Sequence, residues 1–255
     1  MKKISVAIAT FNEEENIEKC LKSVVFWTNE IVVVDGSSTD KTVDVAKKYK
    51  AKVIVSDNPP IFHINKQKAL EECTSEWILQ LDADEVIADK LKNEIINVVN
   101  QSSTINGYYI PRKNLLLGRW MKKGGLYPDY VIRLFKRGKG RFPAKDVHEQ
   151  IDVDGKVGYL KNDLLHYAYS SFAGYLKKAN TYTLLTAEKF DHDKLPISVF
   201  TTIKYVIVVP TKTFLTIYFR HLGFVDGFPG FVWAFFSALH YPIAYIKYWE
   251  KSRHQ

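Results

Sequence analysis

The stretch EIVVVDGSSTDKTVDVAKKYKAKVIV, residues 30–55, decides the fold. Its first run, Glu30-Ile31-Val32-Val33-Val34-Asp35, is β-branched and apolar, which suits a strand buried on both faces. A polar cluster follows, in which Ser38 or Thr39 is expected to cap a helix. Val43 and Ala46 then recur at helical spacing and are expected to face inward. A second apolar run, Lys52-Val53-Ile54-Val55, closes the unit. Strand, helix and strand in that order make a parallel pair with a crossover, because a tight turn cannot join parallel strands.

The same alternation extends both ways. Ile4 to Ala9 reads as a strand and Glu13 to Val25 as a helix carrying Ile17, Leu21, Val24 and Val25 on one face. Further on, Asn65 to Cys73 reads as a helix, Trp77 to Leu81 as a strand and Asp89 to Asn100 as a helix. The class is α/β, with helices over both faces of a mainly parallel sheet. Such sheets bind ligands at the carboxyl ends of their strands. Three polar clusters fall there: Thr10 to Glu14, Asp35 to Asp40, and Asp82 to Glu85. Each alone reads as a helix cap; their convergence on one edge is the informative feature.

From Gly107 the pattern changes to short strand-like pieces: Tyr108 to Ile110, Val131 to Phe135 and Lys156 to Leu160. A helical stretch runs from Ser171 to Phe190, and beyond Leu195 the chain is aromatic and apolar. The expected domains are residues 1–195, in halves 1–105 and 106–195, and a helical region 196–255. Cys20 and Cys73 stand far apart, so neither a disulfide framework nor a metal-binding cysteine pattern is implied, and a reducing cytosol fits. The start runs directly into a strand, with too short an apolar stretch for a secretory signal.

The formal charge of +8 is concentrated. Between Arg112 and Arg141 there are ten bases and one acid, Asp129. Such a segment is either a solvated loop or a site for a phosphate-bearing partner: nucleotide, nucleic acid or anionic lipid.

Trp77 to Glu85, WILQLDADE, ends an apolar run in three acids. Crowded carboxylates need a cation among them. If the strand alternation continues, Asp82 and Asp84 face one pocket, where Mg²⁺ or Mn²⁺ would be held together with a diphosphate. Two solvent-facing acids opening a loop are the plainer alternative.

ATFNEEENIEKCLKSV, EIVVVDGSSTDKTVDVAKKY and WILQLDADE, in this order and spacing, resemble the family 2 glycosyltransferases, which have the GT-A fold. GGLYPDYVIRLFKRGKGRF, VHEQI, LLHYAY and the tail are similar to the bacterial lipopolysaccharide-core β-glucosyltransferase subgroup. The resemblance implies that Thr10, Asn12 and Glu13 hold the nucleotide and that Asp35 accepts a hydrogen bond from the base, usually uracil. It places Asp82 near the ribose and sugar and Asp84 on the metal, with Asp82 and His166 as further candidate ligands. A histidine satisfied at a strand end is the alternative for His166. Lys66, Lys68 and Arg133 are candidates for the diphosphate. The base expected to take the acceptor's proton is Glu149, with Asp129 and Asp146 as rivals, because the chain has His148-Glu149 where many relatives carry Glu-Asp. The implied reaction is inverting hexosyl transfer, first of all from UDP-glucose, to a lipopolysaccharide-core saccharide. Transfer to a polyprenyl phosphate or an exopolysaccharide intermediate, a nucleotidyltransferase and a basic nucleic-acid-binding module are the competing functions; nucleic acid is not the expected partner.

Gly227 to Ile246 contains no Lys, Arg, Asp or Glu, but Pro229, Gly230, His240 and Pro242 interrupt it. Charges and Trp or Tyr flank it. Helices lying on the inner face of the cell membrane are expected, with a span or hairpin and an ordinary packed subdomain as alternatives. The expected location is cytoplasmic and peripheral to that membrane.

Overall fold

The computed structural model describes residues 2–59, 61–143, 150–169 and 171–253. Twelve strands are described: β1 Ile4–Thr10, β2 Glu30–Asp35, β3 Lys52–Val55, β4 Trp77–Asp82, β5 Glu85–Ile87, β6 Ile105–Leu116, β7 Arg119–Trp120, β8 Asp129–Lys136, β9 Gly140–Arg141, β10 Asp152–Val153, β11 Lys156–Tyr159 and β12 Leu164–Tyr169. The α-helices are α1 Ile17–Val24, α2 Thr42–Lys48, α3 His63–Glu71, α4 Asp89–Asn100, α5 Phe172–His192, α6 Val199–Ile203, α7 Val209–Leu215 and α8 Gly227–Arg253. The chain forms two compact units, residues 1–112 with 129–167, and residues 113–128 with 168–255. The sequence pattern drew its boundary at 195/196; the units divide instead inside β6 and β12.

In the first unit the main sheet runs in the order β3-β2-β1-β4-β8-β6-β12-β5. The first four strands are parallel, as expected. β8 then runs antiparallel to β4 and β6, and β12 antiparallel to β5, so the sheet is mixed. Successive side chains point to opposite faces. Val6, Ile8, Val33, Leu79 and Leu81 therefore pack with Leu21 of α1 and Ile95 of α4. Ala7, Val32, Val34 and Ile78 pack on the other face with Ala69 and Leu70 of α3.

Register is what positions the strand ends. Thr10 pairs with Asp35, and Ala9 with Asp82, so the carboxyl termini of β1, β2 and β4 finish level at one edge.

Several element bounds differ from the sequence pattern for local reasons. α1 begins at Ile17 rather than Glu13. The backbone N–H groups of Glu13 and Glu14 donate to Thr42 Oγ1 (2.8 Å) and Asp40 Oδ2 (3.1 Å), which holds this segment as a link to the neighbouring loop. α2 is capped by neither Ser38 nor Thr39; Asp40 Oδ1 accepts from the N–H of Thr42 at 2.9 Å. Its buried positions are Thr42 and Ala46, while Val43 is only half-buried. β5 is absent from the sequence pattern: three residues are too short for a period to show.

In the second unit, Ser171 caps α5, its side chain accepting from the N–H of Gly174 at 3.1 Å. The prolines expected to break the tail do not. Pro229 lies in the first turn of α8, where a helix leaves N–H groups unbonded in any case. Gly230 has no Cβ to strike the Gly223 carbonyl beside it. Pro210 follows a π-helical turn, Lys204–Val208. Pro210 thus falls in the first turn of α7, where proline is tolerated. Asp226, fully buried, accepts from the N–H groups of Lys122 (3.0 Å) and Lys123 (2.8 Å) and from Arg119 Nε (3.0 Å). Among the described residues no single helix is long and apolar enough to cross a membrane. Val199–Arg220 and Gly223–Arg253, bent by 70°, pass that test only together.

Leu79 lies on β4 between β1 and β8, on the face covered by α1 and α4, and is fully buried. Leu79→Ala should lower unfolding free energy by about 2–5 kcal/mol. Urea denaturation followed by circular dichroism measures this; a loss under about 1 kcal/mol would contradict the packing described.

Candidate active site

The first two loops are sewn together. Asn12 takes φ 53°, a left-handed conformation that asparagine tolerates better than most residues. Its N–H donates to Ser38 Oγ at 2.8 Å, and its side-chain oxygen accepts from the N–H of Thr39 at 2.8 Å. Asp35, almost fully buried, accepts from Ser38 twice: from the N–H at 2.8 Å and from Oγ at 2.6 Å. Glu13 accepts from Asn16 Nδ2 at 2.8 Å. Thr10 Oγ1 is buried with no hydrogen-bond partner among the described residues. Asn12 and Glu13 thus organise loop backbone, and Asp35 anchors the loop after β2. Each Asp35 oxygen has a second lone pair for a ligand.

The acids of β4 and β5 are neutralised from within the protein. Arg133 on β8 is buried; its Nη2 donates to Asp82 Oδ2 (2.6 Å) and Glu85 Oε1 (2.8 Å), and its Nη1 donates to Gln80 Oε1. Lys66 on α3 forms an ion pair with Asp82 Oδ1, its ammonium 5.0 Å from the Phe62 ring centre. Arg112 on β6 donates to Asp129 Oδ2 from Nε (2.9 Å) and Nη2 (2.7 Å), and meets Glu85 Oε1 at 3.4 Å. Three acids, Asp82, Glu85 and Asp129, therefore interlock with three bases. Burial works against the charge on Asp82, but Arg133 and Lys66 outweigh it and hold its carboxyl well below the usual range. Arg133 is likewise penalised by burial, and Asp82 and Glu85 more than compensate, so its proton is held more tightly than usual. Burial, with the charges of Glu85, Asp84 and Asp82, pushes the Cys20 thiol well up.

Asp84 has different company. Ala83 and Asp84 form a turn between β4 and β5, so strand alternation does not extend from Asp82 to Asp84. Asp84 Oδ1 lies 3.3 Å from His166 Nε2 on β12. The Asp84 carbonyl accepts from the N–H of Tyr167 at 2.8 Å, which fastens the turn to that strand. Among the described residues no three His, Cys, Asp or Glu side chains gather to hold a metal ion. Asp84 and His166 offer a carboxylate oxygen and an imidazole nitrogen, two donors for a divalent cation that brings phosphate and water as its other ligands.

Lys68 Nζ donates to Ser56 Oγ, 3.2 Å, just beyond β3. Asp146, His148 and Glu149 lie outside the described residues. The basic segment is not one free patch: Arg112, Arg119, Arg133 and Lys139 all pair with acids, namely Asp129, Asp226, Asp82 with Glu85, and Asp154. Gln80 and Arg112 are the site residues that sequence reasoning missed. Gln80 stands two residues before Asp82 on one strand face, a signal that was legible; the partners of Arg112 depend on strand pairing, which was not.

The glycosyl transferase family 2 profile matches residues 5–181, and the chain belongs to that family. The lipopolysaccharide core biosynthesis glycosyltransferase LpsC of Rhizobium meliloti is 30% identical over 254 residues, covering 92% of this chain and 90% of LpsC. An uncharacterized glycosyltransferase of Rickettsia typhi, RT0209, is 32% identical over 244 residues, covering 91% of this chain and 82% of that protein. The mannosyltransferase PcManGT of Pyrobaculum calidifontis, solved with GDP-Man and Mn²⁺, shares the fold with a TM-score of 0.57 at 13% identity, over 97% of this chain and 87% of that one. The fold is thus of the GT-A type and the chain is a family 2 glycosyltransferase.

Asp82 links its charge to folding. With its native pKa lowered, its stabilisation is complete above the ordinary carboxylate range near pH 4 and is lost as pH falls through the native value. The stability difference between the wild type and Asp82→Asn should therefore be constant from neutrality to about pH 5 and shrink on further acidification. Urea titrations at several pH values check this. Arg133→Met should cost about 3–5 kcal/mol, because two acids lose their buried partner.

Proposed function

We propose that the chain transfers a hexose with inversion, glucose from UDP-glucose first of all, to a saccharide of the lipopolysaccharide core or a related surface glycan. The observation carrying this reading is the common strand edge at which Thr10, Asp35 and Asp82 finish, with Asp84 and His166 beside it. The sequence relation to LpsC supports the acceptor class.

In this reading Asp35 accepts the imide N–H of uracil while Ser38 keeps the carboxylate oriented. Asp82, held ionised by Lys66 and Arg133, accepts a ribose or sugar hydroxyl. Arg133 acts as the support for Asp82. Lys68 reaches the diphosphate. A divalent cation, Mg²⁺ or Mn²⁺, held by Asp84 and His166, would neutralise charge on the departing diphosphate. Glu149 takes the proton of the acceptor hydroxyl as its oxygen attacks the anomeric carbon; the bond from that carbon to the diphosphate oxygen breaks, and UDP leaves with the electron pair. One displacement of this kind inverts the anomeric centre. Asp129 suits the base role less well, since Arg112 donates to it twice. The acceptor is membrane-borne and the protein works at the membrane's inner face, as the apolar, basic second unit favours. A nucleic-acid module has little support, because four bases of its supposed patch are paired with acids. Transfer to a polyprenyl phosphate differs only in acceptor.

A panel of nucleotide sugars with Mn²⁺, scored for nucleotide release with and without lipid acceptors, tests the reading. UDP-glucose should give the largest acceptor-dependent release, and Asp84→Ala should reduce it to background. Glu149→Gln should slow transfer by about 10²–10⁴-fold while calorimetry shows unchanged UDP binding. Normal transfer by Glu149→Gln would move the base to Asp129 or Asp146, and failure of UDP to bind would end the proposal.

A further inference from the structure

From Lys194 to Val225 the chain has no acid, and it carries Lys194, Lys204, Lys212 and Arg220. Within this segment Val199–Arg220 forms one continuous helical rod, α6 and α7 joined and followed by π-helical turns. One side of the rod packs on α8. Tyr205 stacks on Tyr245 with centroids 5.8 Å apart, and Phe214 and Tyr218 both meet Phe231 at 6.0 Å.

The other side is also apolar, which an ordinary packed helix avoids. Phe200 is 78% exposed, Ile207 58%, Leu215 49% and Phe219 55%. These residues follow at helical spacing, and Lys204, Lys212 and Arg220 recur among them, all exposed. Ile207, Val208 and Leu215, together with Lys212 and Arg220, line an open groove of about 550 Å³. An apolar strip edged by bases has the make-up of a helix that lies in a bilayer interface.

Charge decides between possible occupants. A second copy of the chain would set these bases against an identical set, with no acid from residue 194 to 225 to relieve them. A leaflet of anionic phospholipid offers acyl chains to the apolar strip and phosphates to the bases.

Resting on the membrane-surface reading above, we propose that the outward strip of Val199–Arg220 is the membrane-binding face and takes anionic phospholipid. Phe200, Ile207, Leu215 and Phe219 enter the boundary between headgroups and acyl chains. Lys204, Lys212 and Arg220 contact lipid phosphate. The rod lies along the interface and does not cross it.

Sedimentation of the full chain with vesicles tests this, using phosphatidylcholine alone and phosphatidylcholine mixed with phosphatidylglycerol. The wild type should pellet with the anionic vesicles, weakly with the neutral ones, and less as salt is raised. The double substitution Ile207→Glu/Leu215→Glu should lower partitioning by about tenfold or more. Lys212→Ala/Arg220→Ala should lower it by about fivefold per base on anionic vesicles only. Phe26→Glu, at an exposed apolar residue of the first unit, should leave it unchanged. Circular dichroism and UDP binding confirm folding of each variant. If the wild type binds and both double variants bind equally well, this face is wrong while the membrane-surface reading stands. If the wild type binds neither vesicle, both fall, and UDP binding then tells whether the transferase reading survives. Resistance of vesicle-bound protein to alkaline extraction would show a span and overturn the interfacial placement.

Discussion

Asp82 stays ionised at a crowded strand end, with the Glu85 carboxylate beside it, because Arg133 lies buried between the two, with both terminal nitrogens engaged. A buried carboxylate without a partner would take up a proton, and a buried guanidinium without one would cost several kcal/mol. The group is therefore coupled: removing one member exposes the others to that penalty. Lys66 from the helix side and Arg112 from β6 complete it. An edge that would otherwise repel anything negative is balanced, so Asp82 and Glu85 present no surplus of negative charge there.

This balance depends on sheet topology. The parallel half aligns the ends of β1, β2 and β4. The antiparallel insertion of β8 beside β4 brings Arg133 to Gln80 and Asp82. β6 beside β8 then pairs Arg112 with Asp129. β12, running against β5, sets His166 opposite Glu85 and near Asp84. A purely parallel sheet with the same first hundred residues would have the acids and lack two of their three bases. The same strands explain why a run of ten bases is not a field of positive charge: they carry their cations to acids distant in sequence.

The second unit shows a different relation between composition and structure. Glycine and proline ordinarily interrupt helices, yet Pro210, Pro229, Gly230 and Pro242 all lie within helical segments. Two first-turn positions and a close backbone approach accommodate three of them. Pro242 is buried inside α8.

What the amino-acid sequence determined by itself was the parallel half of the fold and the polar clusters at its strand ends. Those follow from local periodicity, which a strand or helix expresses wherever it sits. Asp35, Asp82 and Asp84 stood out as candidates because each follows an apolar run. Tertiary structure alone decided what those acids touch. Crowding at WILQLDADE implied a cation; whether that cation is a metal, an arginine or a lysine depends on which strand pairs with β4, and pairing between residues some fifty positions apart leaves no local mark. The turn at Ala83 and Asp84, which separates two acids that strand alternation would have put together, rests on the pairing of β5 with β12. The direction in which Ile207 and Leu215 face is likewise a matter of packing, since an apolar stripe reads the same in sequence whether it meets another helix or the solvent.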